Sequence, residues 1–108
     1  VGKFQAMRIL LTGKPVSADE AYAMGLVSLV CEDDQVIPEA LKMAKLIANM
    51  PPLAVEQIKE VVIAGMDASL DAALMLERKA NQILFATRDQ KEGMQAFIEK
   101  RPPVFEGR

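Results

Sequence analysis

The C-terminal stretch, residues 85–108, carries the clearest helix punctuation in the chain and constrains its fold most strongly. Thr87 and Gln90 have the spacing of a capping box, in which a hydroxyl accepts from a backbone N–H and the second side chain reaches back. This pair predicts a helix start. Pro102 and Pro103 predict that the helix stops and that the remaining residues lead away extended. The stretch therefore predicts one capped helix followed by a stiff tail.

The predicted C-terminal helix is amphipathic. Met94, Phe97 and Ile98 recur at helical spacing and form an apolar stripe. Phe97 and Lys100 share one edge of this helix and can present a flat ring beside a cation. Such a pair can lie against a heterocycle and meet a phosphate. The alternative is a core phenylalanine beside a lysine that extends to solvent, and the residues alone favour that alternative.

Apolar periodicity and end signals predict further helices upstream. Ser17 and Glu20 form a second capping box, and Gly25 is suited to end the short helix that this box starts. Gly65 is expected to close a later helix, and Ser69 is placed to cap the longest one. The predicted helical ranges are 1–12, 18–24, 33–49, 53–64 and 70–86.

One segment favours extended structure. Leu26–Val30 is a short β-branched run after a glycine, which predicts one brief strand or extended segment. A single strand needs a partner, and no other segment supplies one, which indicates that part of a larger protein lies beside it. The expected fold class is therefore mainly α, with five to six helices and at most one short strand.

Composition supports helices and excludes several functions. The chain is 51% apolar but only 5% aromatic, so aliphatic residues must build the core, which favours packed helices over a β-sandwich. It contains no histidine, which excludes a Ser-His-Asp triad, a Cys-His pair and any His-containing metal site. The net charge is −2 with acids and bases interleaved, so nucleic acid and membrane surfaces are not expected partners.

Cysteine usage and hydropathy predict a compartment. Cys31 is the single cysteine and is expected to be a small, half-buried apolar residue, as a reducing cytosol or organelle matrix permits. No apolar run approaches the roughly 18 residues of a membrane span, and no charged-then-apolar leader precedes the first helix. A soluble protein of the cytoplasm or an organelle matrix is therefore expected.

Two groups of polar residues are weaker candidates for a site. Glu77 and Asn81 lie within the apolar sector of the longest helix, where a buried carboxylate can act as an acid or base but more often pairs with a cation or caps a backbone group. Glu32, Asp33 and Asp34 form an acidic cluster without the spacing of a calcium loop, and helix-start electrostatics explains it better. No phosphate-loop, dinucleotide or zinc motif is present, and no metal site is predicted.

Residues 12–27, 85–87 and 91–101 resemble, in order and spacing, the C-terminal part of the enoyl-CoA hydratase/isomerase (crotonase) superfamily. The resemblance implies a core that binds an acyl-CoA thioester, and a C-terminal set of helices that covers this core and builds a trimer, commonly paired into a hexamer. The family's oxyanion hole and two catalytic glutamates lie in that core, upstream of Val1. Residues 1–108 are therefore expected to be the C-terminal helical segment alone, inactive and without catalytic residues.

The resemblance also implies a substrate contact. In family members, a phenylalanine and a lysine at the positions of Phe97 and Lys100 reach the adenine and phosphate end of CoA, often in the neighbouring subunit's site. Other members carry a further aromatic where this chain has Asn81. The implied parent is a lyase that hydrates 2-enoyl-CoA in fatty-acid or related acyl-CoA breakdown, with acyl-CoA as substrate and no cofactor. The alternatives are an isomerase or another CoA-thioester reaction, and a non-catalytic helical module that oligomerises or docks on a partner.

Overall fold

The computed structural model describes all residues, 1–108, and contains six α-helices and no strand. A short 3₁₀ helix, Asp33–Gln35, precedes the third α-helix. The α-helices are α1 Gly2–Thr12, α2 Ala18–Ala23, α3 Val36–Ala48, α4 Pro52–Met66, α5 Leu70–Phe85 and α6 Arg88–Glu99. The predicted mainly α fold is therefore confirmed. The chain divides into two compact units, Val1–Ala40 and Leu41–Arg108.

The predicted capping box of the first unit is present in full. Ser17 Oγ accepts from the Glu20 N–H at 3.2 Å, and the Ser17 N–H donates to Glu20 Oε2 at 3.1 Å. The backbone hydrogen bond from Ser17, followed by the Ser17 hydroxyl, lowers the pKa of the Glu20 carboxyl. Gly25 follows α2 with φ of 75°, and the Leu26 N–H donates to the Ala21 carbonyl at 2.8 Å. This closure at a left-handed glycine ends α2 as predicted.

Residues 26–30 do not form a strand. They follow the end of α2 without ladder hydrogen bonds, because the chain contains no second strand to pair with. The sequence predicted either a brief strand or an extended segment at Leu26–Val30, and the structure contains a segment without strand pairing. Asp33 and Asp34 lie in the first turn of the 3₁₀ helix, the position in which negative charge is favourable. Cys31 is half-buried, as expected.

The second unit is built on α4 and α5, which pack against each other. Ser69 caps α5 as predicted, because its Oγ accepts from the Ala72 N–H at 3.4 Å. The expectation that Gly65 closes α4 is wrong, since the helix continues to Met66. A Cβ placed on Gly65 would lie 3.5 Å from the Cβ of Ala73 on α5. Gly65 therefore lies inside a helix, at a point where α4 and α5 approach closely.

The buried interior of the chain is small. The buried residues are Ala21, Ala80, Ala96 and Asp89. The apolar stripes of the helices remain open in this chain, as shown by exposed fractions of 61% for Ile58 and 55% for Ile83. The stripes follow the predicted helical periodicity, and the chain itself provides little that covers them. None of the helices combines the length and hydropathy that a membrane crossing requires.

Candidate functional site

The site candidates lie on α6, whose beginning is fixed by Thr87. Thr87 Oγ1 accepts from the Gln90 N–H at 3.1 Å and donates to the Leu84 carbonyl at 2.7 Å. The predicted helix start is therefore confirmed. The reciprocal half of the capping box is absent, because the Thr87 N–H donates to the Leu84 carbonyl at 3.1 Å instead. Because the connection from α5 to α6 is short, the Leu84 carbonyl at the end of α5 accepts from the Thr87 N–H, the group that the Gln90 side chain was expected to bind.

The other end of α6 closes at Lys100 rather than at the two prolines. Lys100 has φ of 55° and ψ of 37°, and it is the only non-glycine residue of the chain with positive φ. The Lys100 N–H donates to the Phe97 carbonyl at 3.3 Å, and the Arg101 N–H donates to the Ala96 carbonyl at 3.0 Å. These bonds form a Schellman closure, whose left-handed position is usually glycine. A side chain there costs about 1–2 kcal/mol, so Lys100 is conformationally strained.

Arg101 is held by two glutamates of α6. Its guanidinium forms a two-pronged contact with Glu92, with Nη1–Oε1 at 2.6 Å and Nη2–Oε2 at 2.9 Å. Its Nε donates to Glu99 Oε2 at 2.6 Å. The hydrogen bonds from Arg101, together with the Val104 N–H, lower the pKa of Glu92 to about 2, and the same pairing raises the pKa of Arg101. One arginine therefore binds two carboxylates of α6, one inside the helix and one at its last residue.

The tail after α6 folds back along the helix. The Val104 N–H donates to Glu92 Oε1 at 2.9 Å, and the Glu106 N–H donates to Asp89 Oδ1 at 2.7 Å. At the far end, the Arg108 carbonyl accepts from the Arg88 N–H at 2.7 Å. The expectation that the tail leads away is therefore wrong. Carboxylates on α6 bind the tail amides, and the free N–H groups at the start of α6 bind its last carbonyl.

The side chains of the tail reinforce this return. A Cβ placed on Gly93 of α6 would lie 3.6 Å from the Phe105 ring, and a Cβ placed on Gly107 would lie 3.4 Å from Pro52 of α4. Gly107 has φ of 74°, a left-handed conformation that a side chain rarely adopts. The tail thus passes close to both α6 and the beginning of α4, and it is part of the folded unit.

Phe97 and Lys100 are both exposed, and Phe97 is 85% exposed. The alternative of a core phenylalanine therefore does not apply within this chain. Lys100 is not on the helical edge that the spacing predicted, because it adopts the left-handed conformation just beyond α6. The lysine–ring contact in this chain is that of Lys3 over Phe4, at 5.3 Å, so the Lys100 ammonium does not stack on Phe97. Met94 and Ile98, the other members of the predicted apolar stripe, are exposed too.

The weaker candidates do not form a site within this chain. Glu77 and Asn81 are exposed, so the expected burial of this carboxylate is absent. They line an open depression of about 500 Å³ on α5. Its remaining lining residues are Leu74, Arg78, Gln82 and Phe85. The residue that the sequence reasoning missed is Asp89, which is 3% exposed and binds the tail. Its position in the first turn of α6 is the available signal.

The enoyl-CoA hydratase/isomerase family model matches residues 1–108, and the chain belongs to this family. A probable mitochondrial enoyl-CoA hydratase of Dictyostelium discoideum is 43% identical over 105 residues, which are 97% of this chain and 38% of the relative. A probable enoyl-CoA hydratase of Rhizobium meliloti is 44% identical over 108 residues, which are 100% of this chain and 42% of the relative. The chain thus spans about two fifths of these relatives' length.

Solved structures of longer proteins match this chain over its whole length. The crystal structure of enoyl-CoA hydratase from Bacillus anthracis superposes with a TM-score of 0.96 at 35% identity, over 100% of this chain and 42% of that one. An enoyl-CoA hydratase subunit from Geobacillus kaustophilus gives a TM-score of 0.93 at 42% identity, again over 100% and 42% of the two chains. The fold of all six helices is therefore shared with longer proteins of the family.

Proposed function

We propose that this chain is the C-terminal helical part of an enzyme that hydrates 2-enoyl-CoA in fatty-acid or related acyl-CoA breakdown. The observation that carries this proposal is the similarity along the whole chain to proteins named enoyl-CoA hydratase, at 43–44% identity. The proposed substrate is an acyl-CoA, and no cofactor takes part. An isomerase or another CoA-thioester reaction is the alternative within the family. The cytosol or an organelle matrix is the proposed compartment.

The proposed substrate contact is the pair Phe97 and Lys100. Three features support it: Phe97 exposes an aromatic face that can lie on adenine, Lys100 carries an ammonium outside any salt bridge, and Lys100 is held in a strained conformation. Strained residues cluster at functional sites, where the surrounding structure maintains them. The proposed ligand group is the nucleotide and phosphate end of CoA, either in the same subunit or in a neighbouring one.

The helices have a second proposed role in assembly. Large apolar side chains are exposed along these helices, among them Leu70, Ile83 and Phe85 of α5, and contiguous exposed apolar surface marks an interaction site. We propose that they cover a catalytic core and join subunits into a trimer or hexamer. A purely non-catalytic oligomerisation module is the rival from a different functional class. It predicts self-association without any acyl-CoA binding.

The test is an assay of the full-length protein that contains this segment. We expect it to hydrate crotonyl-CoA, and we expect residues 1–108 alone to give no turnover above buffer. Lys100→Ala and Phe97→Ala are each expected to raise the Michaelis constant for acyl-CoA by roughly tenfold, with kcat little changed. Lys91→Ala, on the exposed side of the same helix, is the matched control. Turnover by the segment alone, or unchanged Michaelis constants, would contradict the proposal.

A further inference from the structure

We infer that Arg101 is a positioning residue for acyl-CoA binding, acting through Lys100. This inference rests on the proposed function, because it assumes that the Lys100 ammonium meets a phosphate of CoA. Arg101 itself is turned toward α6, where Glu92, Glu99 and the Pro102 carbonyl accept four hydrogen bonds from its guanidinium. Because most of its five N–H donors are used within the chain, we place its effect on binding in the positioning of Lys100.

The first part of that effect is conformational. Lys100 is followed at once by Arg101, and the two-pronged contact to Glu92 fixes the direction that the chain takes after the left-handed residue. Glu92 also accepts from the Val104 N–H, so one carboxylate anchors the chain on both sides of the two prolines. The two parallel hydrogen bonds of this contact require a planar guanidinium, and a lysine at this position could not form both of them. The contact between Arg101 and Glu92 helps to maintain the left-handed backbone conformation of Lys100, which is unfavourable for lysine.

The second part is electrostatic. Glu99 is the last residue of α6 and Glu92 lies seven residues before it, and both bind Arg101. Glu99 is next to Lys100 in the chain and would be available to its ammonium if Arg101 were removed. An ammonium paired with a neighbouring carboxylate binds a phosphate less well, because the pair must be broken first. Arg101 thus keeps the acids occupied and leaves Lys100 as the free cation of this helix end.

The test compares Arg101→Ala in the full-length protein with two thioester substrates. One is an acyl-CoA, and the other carries the same acyl group on N-acetylcysteamine, which lacks the nucleotide and its phosphates. We expect Arg101→Ala to raise the Michaelis constant for acyl-CoA about tenfold, the lower end of what one charged hydrogen bond contributes. The Michaelis constant and kcat for the truncated thioester should not change. A general structural defect would alter the values for both substrates.

Two further variants make the result specific. In the double variant Lys100→Ala/Arg101→Ala, the Michaelis constant should be no higher than in Lys100→Ala alone, because both changes remove the same contact. Arg108→Ala is the matched control, since Arg108 also binds a glutamate two residues away, Glu106, at 2.6 Å. If Arg101→Ala does not fold, Arg101→Lys replaces it, with a smaller rise expected for acyl-CoA only.

The outcomes separate the inference from the function on which it rests. If Lys100→Ala leaves the Michaelis constant for acyl-CoA unchanged, the proposed substrate contact fails. If Lys100→Ala raises it while Arg101→Ala and Arg101→Lys do not, the contact stands and the positioning role of Arg101 is wrong. Additive effects in the double variant, or equal losses with both thioesters, would also overturn the positioning role.

Discussion

Asp89 binds the backbone of Gly107, with the Gly107 N–H donating to Asp89 Oδ2 at 2.8 Å. The other carboxylate oxygen accepts from the Glu106 N–H at 2.7 Å, so both oxygens of one buried side chain are used by the tail. Without Asp89, the two amides would need water as their hydrogen-bond partner, but Asp89 is only 3% exposed, so little water reaches this position. The tail is thus part of the folded unit, and a single carboxylate links its end to the beginning of α6.

Asp89→Asn is expected to lower the free energy of unfolding by about 1–3 kcal/mol. The NH₂ group of asparagine would face one of the two backbone N–H groups, and two donors cannot form a hydrogen bond with each other. The measurement is urea denaturation of the chain. Asp71→Asn is the matched control, since Asp71 is the second residue of α5 as Asp89 is of α6, but it is exposed and binds no tail. Equal effects of the two substitutions would show that Asp89 acts only on the helix end.

The Glu92 carboxyl makes stability depend on pH in a defined direction. Its pKa is lowered from 4.5 to about 2 in the folded chain, chiefly by Arg101, so the unfolded chain binds more protons between these values. The contribution of Glu92 to stability is therefore fully present above pH 4.5 and is lost as pH falls toward 2. Thermal unfolding between pH 2 and pH 6 measures this dependence.

Glu92→Gln is expected to flatten the pH dependence, since it removes the titrating group. Glu60→Gln is its control, because Glu60 has no arginine partner and accepts only a 3.5 Å hydrogen bond from Gln57. If Glu92→Gln and Glu60→Gln change the pH dependence of stability to the same extent, the contact between Glu92 and Arg101 has no specific role in it.

Lys100→Gly is expected to stabilise the chain while impairing the proposed function. Glycine adopts positive φ at little cost, so the free energy of unfolding should rise by about 1 kcal/mol. Lys91→Gly, inside α6, should lower it by a similar amount, about 1 kcal/mol. In the full-length protein, Lys100→Gly should raise the Michaelis constant for acyl-CoA. A loss of stability in Lys100→Gly would mean that the lysine side chain makes a stabilising contact of its own.

The exposed face of α5 predicts self-association of residues 1–108. Ile83 is 55% exposed on that face, and burying such a side chain contributes about 1.5–3 kcal/mol. Ile83→Glu should shift the association detected by sedimentation to higher concentration, whereas Gln82→Glu, with the same change in charge one position earlier, should have little effect. A monomer from micromolar to millimolar concentration in the unsubstituted chain would refute this prediction.

The helices were predictable from the sequence because their signals are local. Ser17, Ser69 and Thr87 each accept the expected backbone hydrogen bond, and these contacts span only three residues. Gly65 was assigned wrongly for the opposite reason. A glycine permits a helix end but does not require one, and α4 continues through Gly65 to Met66. Likewise, the periodicity predicts which side chains form an apolar stripe but does not identify what covers that stripe.

The sequence predicts which residues form the candidate site, but it does not predict their geometry. The sequence places Phe97 and Lys100 near the end of one helix, and the resemblance to the family adds a ligand to the pair. The left-handed conformation of Lys100 could not be predicted, because it is disfavoured for lysine and is maintained by the closure of α6 and by Arg101. Likewise, the return of the tail depends on Asp89 and Glu92, whose partners lie 12 to 18 residues away.

The proposed contact of Lys100 with the phosphate end of CoA can be measured without turnover. Its most direct test is the dissociation constant of CoA itself, measured by titration calorimetry on the full-length protein without any acyl group or turnover. We expect Lys100→Ala to weaken CoA binding by about tenfold or more, and Lys91→Ala to leave it unchanged. Equal dissociation constants for Lys100→Ala and the unsubstituted protein would contradict a contact between Lys100 and CoA.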